Sequence, residues 1–138
     1  MDFDDLAWCP APIGAGWEEE CQPEPVVWTD VARFDQAWRG APDCIGPSGV
    51  GSLHAGRYEN FGAWLDEWNG RLAVWMPHVC LHQGEIVFSD GRHRFAWLRD
   101  HGLAALPMTV SGEAEKEFRE CFETAIRVGR VVTSTSYS

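Results

Sequence analysis

The chain has almost no lysine, no long apolar run and no closely spaced cysteines. Lys116 is the only lysine among 11 basic residues. No segment approaches the roughly 18 uninterrupted apolar residues of a membrane-spanning helix, and the first residues lack the pattern of a secretion signal. The five cysteines are irregularly spaced, which favours reduced thiols over a disulfide framework or a zinc motif. We therefore expect a cytoplasmic protein without a membrane span.

Positive charge is also scarce. The sequence has 21 acidic and 11 basic residues, which gives a net charge of -10. A protein that coats itself in nucleic acid is usually basic, so this balance argues against extended nonspecific DNA binding. Any DNA contact should be confined to a local patch of Arg92 and Arg94, with Arg57 or Arg99 as further candidates.

The length of 138 residues is sufficient for one domain with its own core. Residues 1–25 are rich in proline and acidic residues and predict an irregular leader, while residues 131–138 predict a polar tail. Between them, residues 26–130 predict a compact single α+β domain, with a small mixed sheet flanked by helices. Helices are predicted from about 30 to 40 and at 58–69, 92–101 and 113–128, and strands near 26–28 and at 72–80, 85–89 and 105–110.

The most informative segment runs from residue 85 to residue 110. An apolar run ends at Ser89, Asp90 and Gly91, where the chain must turn. Arg92, His93 and Arg94 then open a helix that Gly102 ends. Cations at a helix N-terminus are unfavourable by roughly 0.3–1 kcal/mol each unless an anion compensates. The turn therefore predicts a phosphate site, to which the free N–H groups of the helix also contribute.

Each residue of the turn has a chemical role to offer. Gly91 allows the backbone to approach a phosphate closely, and Arg94 matches two oxygens at once. His93 is a candidate phosphate ligand or proton carrier. Asp90 is a candidate Mg²⁺ ligand, although an Asx turn explains it equally well. Arg92 either extends the phosphate site or points to solvent, and Ser89 completes the predicted phosphate-binding set.

These motifs resemble those of a known superfamily. Asp-Gly-Arg-His-Arg at 90–94 is similar to the Gly-x-His-Arg nucleotide-binding turn of the ParB/sulfiredoxin superfamily. Within it, the stretch from Arg57 to Val110 resembles the plasmid fertility inhibition factors. The shared features are Arg-Tyr-Glu-x-Phe at 57–61, Val-Trp-Met-Pro-His-Val at 74–79 and the block at 88–107.

The resemblance implies a bacterial protein with a ParB/sulfiredoxin-like fold that binds and hydrolyses ATP, or another nucleoside triphosphate, with Mg²⁺. It also implies nuclease action on transferred DNA and interference with a conjugation or type IV secretion component. Such chemistry needs a metal-bound carboxylate or a general base, for which Asp90, Glu59 and His93 are the candidates. Asp90 and Glu59 are the candidate metal ligands, although Glu59 at a helix start is also ordinary capping chemistry.

Two other functions stay open. The superfamily includes nucleotide-dependent phosphotransferases, but sulfiredoxin chemistry needs a cysteine inside the turn, and the turn contains none. Alternatively, a non-enzymatic module would bind nucleotide or a secretion component and block it by occupancy. An acidic surface would suit docking to a basic partner or mimicry of nucleic acid.

Overall fold

A computed structural model describes residues 3–11, 24–52, 54, 56–69 and 71–133. Its helices are α1 (Val31–Trp38), α2 (Arg57–Trp68), α3 (Arg92–Asp100) and α4 (Glu115–Phe122). Its strands are β1 (Ala7–Cys9), β2 (Val26–Asp30), β3 (Val74–Trp75), β4 (His78–His82), β5 (Glu85–Asp90), β6 (Ala105–Val110) and β7 (Arg130–Val131). The predicted α+β class is confirmed. Within these described residues, no helix is long and apolar enough to cross a membrane.

The larger sheet has four strands in the order β2-β6-β4-β5 and is mixed, as predicted. β6 runs antiparallel to β2 and parallel to β4, and β4 forms an antiparallel hairpin with β5. All six residues of β6 are buried, which fits its central position and the apolar sequence of the segment. The strand, turn, helix and strand predicted between residues 85 and 110 are therefore confirmed.

An aromatic core lies between this sheet and the helices. The ring of Phe34 on α1 contacts the rings of Phe95 on α3 and Phe122 on α4, with centroids 4.9 and 5.4 Å apart. Trp38, also on α1, packs against Phe88 of β5 at 4.8 Å. Aromatic pairs at these separations stabilise beyond their buried area. The core thus fixes α3 relative to β5, and with it the turn between them.

A second sheet of three short strands corrects the prediction for residues 1–25. β1 lies between β3 and β7 and runs parallel to both. Trp8 is fully buried, and its indole N–H donates to the carbonyl of Val128 at 2.8 Å. An irregular leader is therefore wrong for residues 7–9, while residues 12–23 lie outside the described part of the chain. The polar tail also begins later than predicted, because Val131 belongs to β7; residues 134–138 are not described.

Two further boundaries differ from the predictions. The strand predicted at 72–80 is divided at Pro77, with β3 in the small sheet and β4 in the large one. The last helix ends at Phe122 rather than near 128. The guanidinium of Arg33 donates to the carbonyls of Cys121 and Glu123, and these bonds satisfy the end of the helix in place of a further turn.

Candidate functional site

An open cleft of about 690 Å³ lies beside the turn between β5 and α3. This volume is within the range of small-molecule sites in proteins. The turn lines it with the whole predicted phosphate-binding set, Ser89, Gly91, Arg92, His93 and Arg94, and with the candidate metal ligand Asp90. The first two turns of α2, the region of β3 and one residue of β5 provide the other lining: Arg57, Asn60, Phe61, Trp64, Leu72, Ala73, Trp75 and Phe88. The structure therefore brings the turn and the start of α2 to one cavity.

Gly91 forms the turn for a steric reason. Its φ is +90°, a left-handed conformation that glycine adopts without strain. A Cβ at this position would lie 2.8 Å from the Cα of Pro77 and 2.8 Å from Nη2 of Arg94. Glycine is thus required by both backbone conformation and space, in addition to any approach of the backbone to a phosphate.

The N-terminus of α3 opens without a capping side chain. The N–H groups of its first turn have no partner within the helix, and the helix dipole makes this end positive. No acidic residue lies in that first turn. The positive end of α3 and its N–H donors therefore lie at the edge of the cleft, and anion binding there stays a prediction.

Arg94 and Arg92 are held in different ways. The Arg94 Nη2 lies 3.1 Å from Oδ2 of Asp90, and its Nε donates to the carbonyl of Trp75 at 3.2 Å. The Arg92 Nη1 donates to the carbonyl of Asp43 at 3.1 Å, so it anchors a neighbouring loop while lining the cleft. Arg92 is thus not a freely solvated side chain.

Arg57 is the most available cation of the cleft. It is exposed at the first position of α2, and its side chain makes no hydrogen bond or ion pair with another described residue. Burial is the main cause of the lowered pKa of His93, and the charge of Arg57 is among those that lower it further. An anion in the cleft would meet Arg57 and Arg94 together.

His93 is buried and points toward a loop serine. Its Nε2 lies 2.7 Å from Oγ of Ser52, and its ring contacts that of His54 edge to face. Burial lowers the pKa of His93 below its ordinary value, and the charges of Arg92, Arg57, His54 and Arg94 lower it further. The imidazole is therefore neutral near pH 7 and is available as a base.

The two candidate metal ligands stand in different places. Asp90 lines the cleft with a half-exposed carboxylate that is paired with Arg94. Glu59 is exposed on α2 and is not among the residues that line the cleft. Among the described residues, no three His, Cys, Asp or Glu side chains form a cluster able to hold a metal ion. Mg²⁺ is commonly held by one carboxylate together with substrate phosphates, so Asp90 alone fits such an ion.

Arg99, a further candidate for DNA or phosphate contact, is not among the residues that line the cleft. Its side chain is only 11% exposed and is paired with Asp35 at 3.0 Å and Asp100 at 2.9 Å. It also donates to the carbonyl of Ile45. The Tyr58 hydroxyl donates to the same Asp100 carboxylate at 2.7 Å. This network joins α1, α2 and α3 and is structural.

The cleft has an aromatic wall, formed by Phe61, Trp64 and Trp75, that was not predicted from the sequence. The rings of Phe61 and Trp64 stack with centroids 6.0 Å apart, and Trp75 is 42% exposed. The helical spacing at 58–69 indicates core residues, and Phe61 and Leu65 are buried as expected. The three-residue spacing of Phe61 and Trp64 is the signal that both rings lie on one side of α2.

Comparison with known proteins gives one informative result. No model of a protein family and no curated protein sequence matches the chain. Its fold is similar to that in the crystal structure of the Oncogenic Suppression Activity protein, described as a plasmid fertility inhibition factor and solved as a gold(I) cyanide derivative. The TM-score is 0.59 and the sequence identity 22%. The match covers 79% of this chain and 63% of that structure, so the chain corresponds to less than two thirds of the other protein.

Proposed function

We propose that this chain is a plasmid-associated fertility inhibition factor that binds a nucleoside triphosphate in the cleft. The observation that carries the proposal is the composition of the cleft's lining. One part is the uncapped N-terminus of α3 with its arginines, and another part is aromatic. Phosphates suit the first part, and a nucleobase suits the second.

The phosphate end combines three kinds of donor. The α3 N–H groups provide fixed donors, Arg94 provides a planar guanidinium, and Arg57 provides a charge that is not already paired. Binding of a triphosphate would relieve the mutual repulsion of these groups around His93. This gain explains why the sequence places cations at the unfavourable end of a helix.

The aromatic wall suits a nucleobase. Stacking of a base on an aromatic side chain contributes about 1–3 kcal/mol and tolerates different bases. Trp64 and Trp75 line the cleft and are not fully buried, so each offers accessible ring surface. The exposed amide of Asn60 lies on the same helix and lines the same cleft. An aromatic wall and a cationic turn in one cavity favour a nucleotide over inorganic phosphate.

The fold similarity supports the biological role. The similar structure carries the description of a plasmid fertility inhibition factor, and the motifs in residues 57–110 resemble that family. We accordingly propose a ParB/sulfiredoxin-like fold and a role in the inhibition of conjugative DNA transfer. Its net charge of -10 suits contact with a basic component of a conjugation or type IV secretion apparatus.

Hydrolysis of the nucleotide, or of transferred DNA, would use Asp90 and His93. Asp90 would hold Mg²⁺ together with the phosphates, and the ion would neutralise charge that develops on the phosphate being attacked. His93 is neutral and lines the cleft, so it can accept a proton. The alternative is a non-enzymatic module that binds nucleotide and inhibits by occupancy, and it is kept because Asp90 is the one carboxylate among the described residues that line the cleft.

A mating assay tests the biological role. Donor cells that carry a conjugative plasmid would express the wild-type chain, Arg94→Ala or the control Arg39→Ala, and transfer frequency would be measured at equal levels of soluble protein. We expect wild type and Arg39→Ala to reduce transfer and Arg94→Ala to reduce it much less. Undiminished transfer with abundant wild-type protein, for plasmids of several transfer systems, would contradict the role.

Purified protein then separates the two mechanisms. ATP hydrolysis and DNA cleavage would be measured with Mg²⁺, with Mn²⁺ and with a chelator. Activity that requires metal and is lost in His93→Ala would support the enzyme. Nucleotide binding without either activity would favour inhibition by occupancy.

A further inference from the structure

A serine hydroxyl lies against the buried histidine of the cleft. The Oγ of Ser52 is 2.7 Å from Nε2 of His93, although the two residues are 41 positions apart in the chain. The same Oγ accepts a hydrogen bond from the backbone N–H of His54 at 3.2 Å. Ser52 thus has a fixed position beside a residue that lines the cleft.

The contacts of Ser52 leave its hydroxyl two acceptors. Nε2 of His93 lies at 2.7 Å and the carbonyl of His54 at 3.4 Å, and the shorter contact is the stronger hydrogen bond. Burial lowers the pKa of His93, which favours the neutral ring near pH 7. In the tautomer that carries its proton on Nδ1, Nε2 accepts from the hydroxyl, as in serine nucleophiles that an adjacent histidine activates.

The surrounding charge favours the same chemistry. Arg92, Arg57 and Arg94 all lie close enough to His93 to lower its pKa. These charges oppose an imidazolium, but they stabilise a serine oxygen that is becoming negative and a phosphate that approaches it. His93 thus lies beside the arginines at which the phosphates are proposed to bind, and the Ser52 hydroxyl reaches this place through its contact with His93.

We propose that Ser52 accepts the terminal phosphoryl group of the nucleotide bound in the cleft, so that the chain phosphorylates itself. This inference rests on the proposed nucleotide binding. Ser52 Oγ attacks the terminal phosphorus, the bond from that phosphorus to the bridging oxygen breaks, and a nucleoside diphosphate leaves. The proton of the hydroxyl passes to Nε2 of His93. The products are one phosphoserine and one nucleoside diphosphate.

Ser52 would then act as a nucleophile, which a serine that only anchors its loop would not. Phosphate on Ser52 would add negative charge beside His93 and would compete with the phosphates of the next nucleotide. The chain would therefore take up one phosphoryl group and release nucleotide more readily afterwards. Free phosphate would be released only as fast as the phosphoserine is hydrolysed.

The test uses the full chain, dephosphorylated beforehand, with Mg²⁺ and each of ATP, GTP, CTP and UTP. Intact mass and peptide mapping would detect the added phosphoryl group and its position. We expect phosphate on Ser52 in the wild type with at least one nucleotide. Ser52→Ala should lose this modification, Ser52→Thr should retain part of it, and Ser111→Ala should match the wild type. His93→Gln should lower the initial rate by about 100-fold, the scale of general base catalysis.

Nucleotide affinity is measured on the same samples by calorimetry, with nonhydrolysable analogues. Binding that is intact in wild type, without phosphate on Ser52, would overturn the proposal and leave the proposed function standing. Phosphate that maps to another residue, or that persists in Ser52→Ala, would also overturn it. If no nucleotide binds and no phosphate is acquired, the proposed function and this inference fail together.

Discussion

Arg94 is paired with Asp90 across the glycine turn, with Nη2 of the arginine 3.1 Å from Oδ2 of the aspartate. The pair joins the last residue of β5 to the first turn of α3. The arginine is mostly buried, whereas the Asp90 carboxylate is 50% exposed. An arriving phosphate therefore meets an arginine that already has a carboxylate partner, and it must share or displace that partner.

Because of this competition, we expect Asp90→Asn to change the affinity for nucleoside triphosphate in opposite directions with and without metal. In a chelator, the variant should bind nucleoside triphosphate more tightly, by roughly fivefold, because a negative charge near the phosphates is removed. With Mg²⁺ it should bind more weakly than the wild type, because a metal ligand is lost. Calorimetric titration under both conditions measures this. Equal affinities of variant and wild type in both would indicate that Asp90 only shapes the turn.

The turn itself should be intolerant of a side chain. Gly91→Ala would force a left-handed φ of +90° and bring Cβ to 2.8 Å from Pro77. We expect a loss of about 2–3 kcal/mol in the free energy of unfolding, measured by urea denaturation. Gly84→Ala is a matched control, since its φ is +82° and no atom lies within 4 Å of a Cβ there. Gly84→Ala should lower the free energy of unfolding by only about 1 kcal/mol. Equal losses in the two variants would refute the steric explanation.

Residues 85–110 could be predicted from sequence because the signals are local. Gly91 and Gly102 bound a helix, the flanking segments are apolar, and short connections link β5, α3 and β6 along the chain. The small sheet could not be predicted in this way. Trp8 of β1 lies beside Val74 and Val131, which come from distant parts of the chain. Such parallel pairing leaves no local pattern in a three-residue strand.

The site shows the same limit. The turn was found because its residues are consecutive, but Ser52 faces His93 only through the folded loop. Arg99 illustrates a second limit, because its charge made it a candidate phosphate contact and its ion pairs could not be read from the sequence. Its partners Asp35 and Asp100 approach it from α1 and from its own helix. The positions of charged residues in the sequence do not distinguish an arginine that binds a ligand from one that joins helices.

Arg99→Ala should therefore destabilise the fold. Removing it leaves Asp35 and Asp100 without their buried partner, which should lower the free energy of unfolding by roughly 3 kcal/mol. Arg39 pairs with the same Asp35 at 3.0 Å, but its side chain is 72% exposed. Arg39→Ala should cost less than about 1 kcal/mol. Urea denaturation of both variants measures the difference, and comparable losses would contradict a structural role specific to Arg99.

The lowered pKa of His93 makes stability depend on pH. The unfolded chain takes up the proton near the ordinary value of 6.5, whereas the folded chain takes it up only at lower pH. Between these values the unfolded state binds more protons, so the free energy of unfolding falls as the pH decreases. His93→Gln should lack this part of the decrease. Denaturation of wild type and variant at several pH values below about 7 measures this dependence. The same change of the free energy of unfolding with pH in both proteins would contradict the prediction.

Binding of nucleoside triphosphate to the cleft is most directly tested by calorimetric titration of wild type, Arg94→Ala and the control Arg39→Ala. We expect wild type and Arg39→Ala to bind equally. Arg94→Ala should lose at least about 1.5 kcal/mol of binding free energy, the scale of a charge-assisted hydrogen bond. Circular dichroism should confirm that each variant is folded. Unchanged affinity in a folded Arg94→Ala would show that the turn at 89–94 is not the phosphate site.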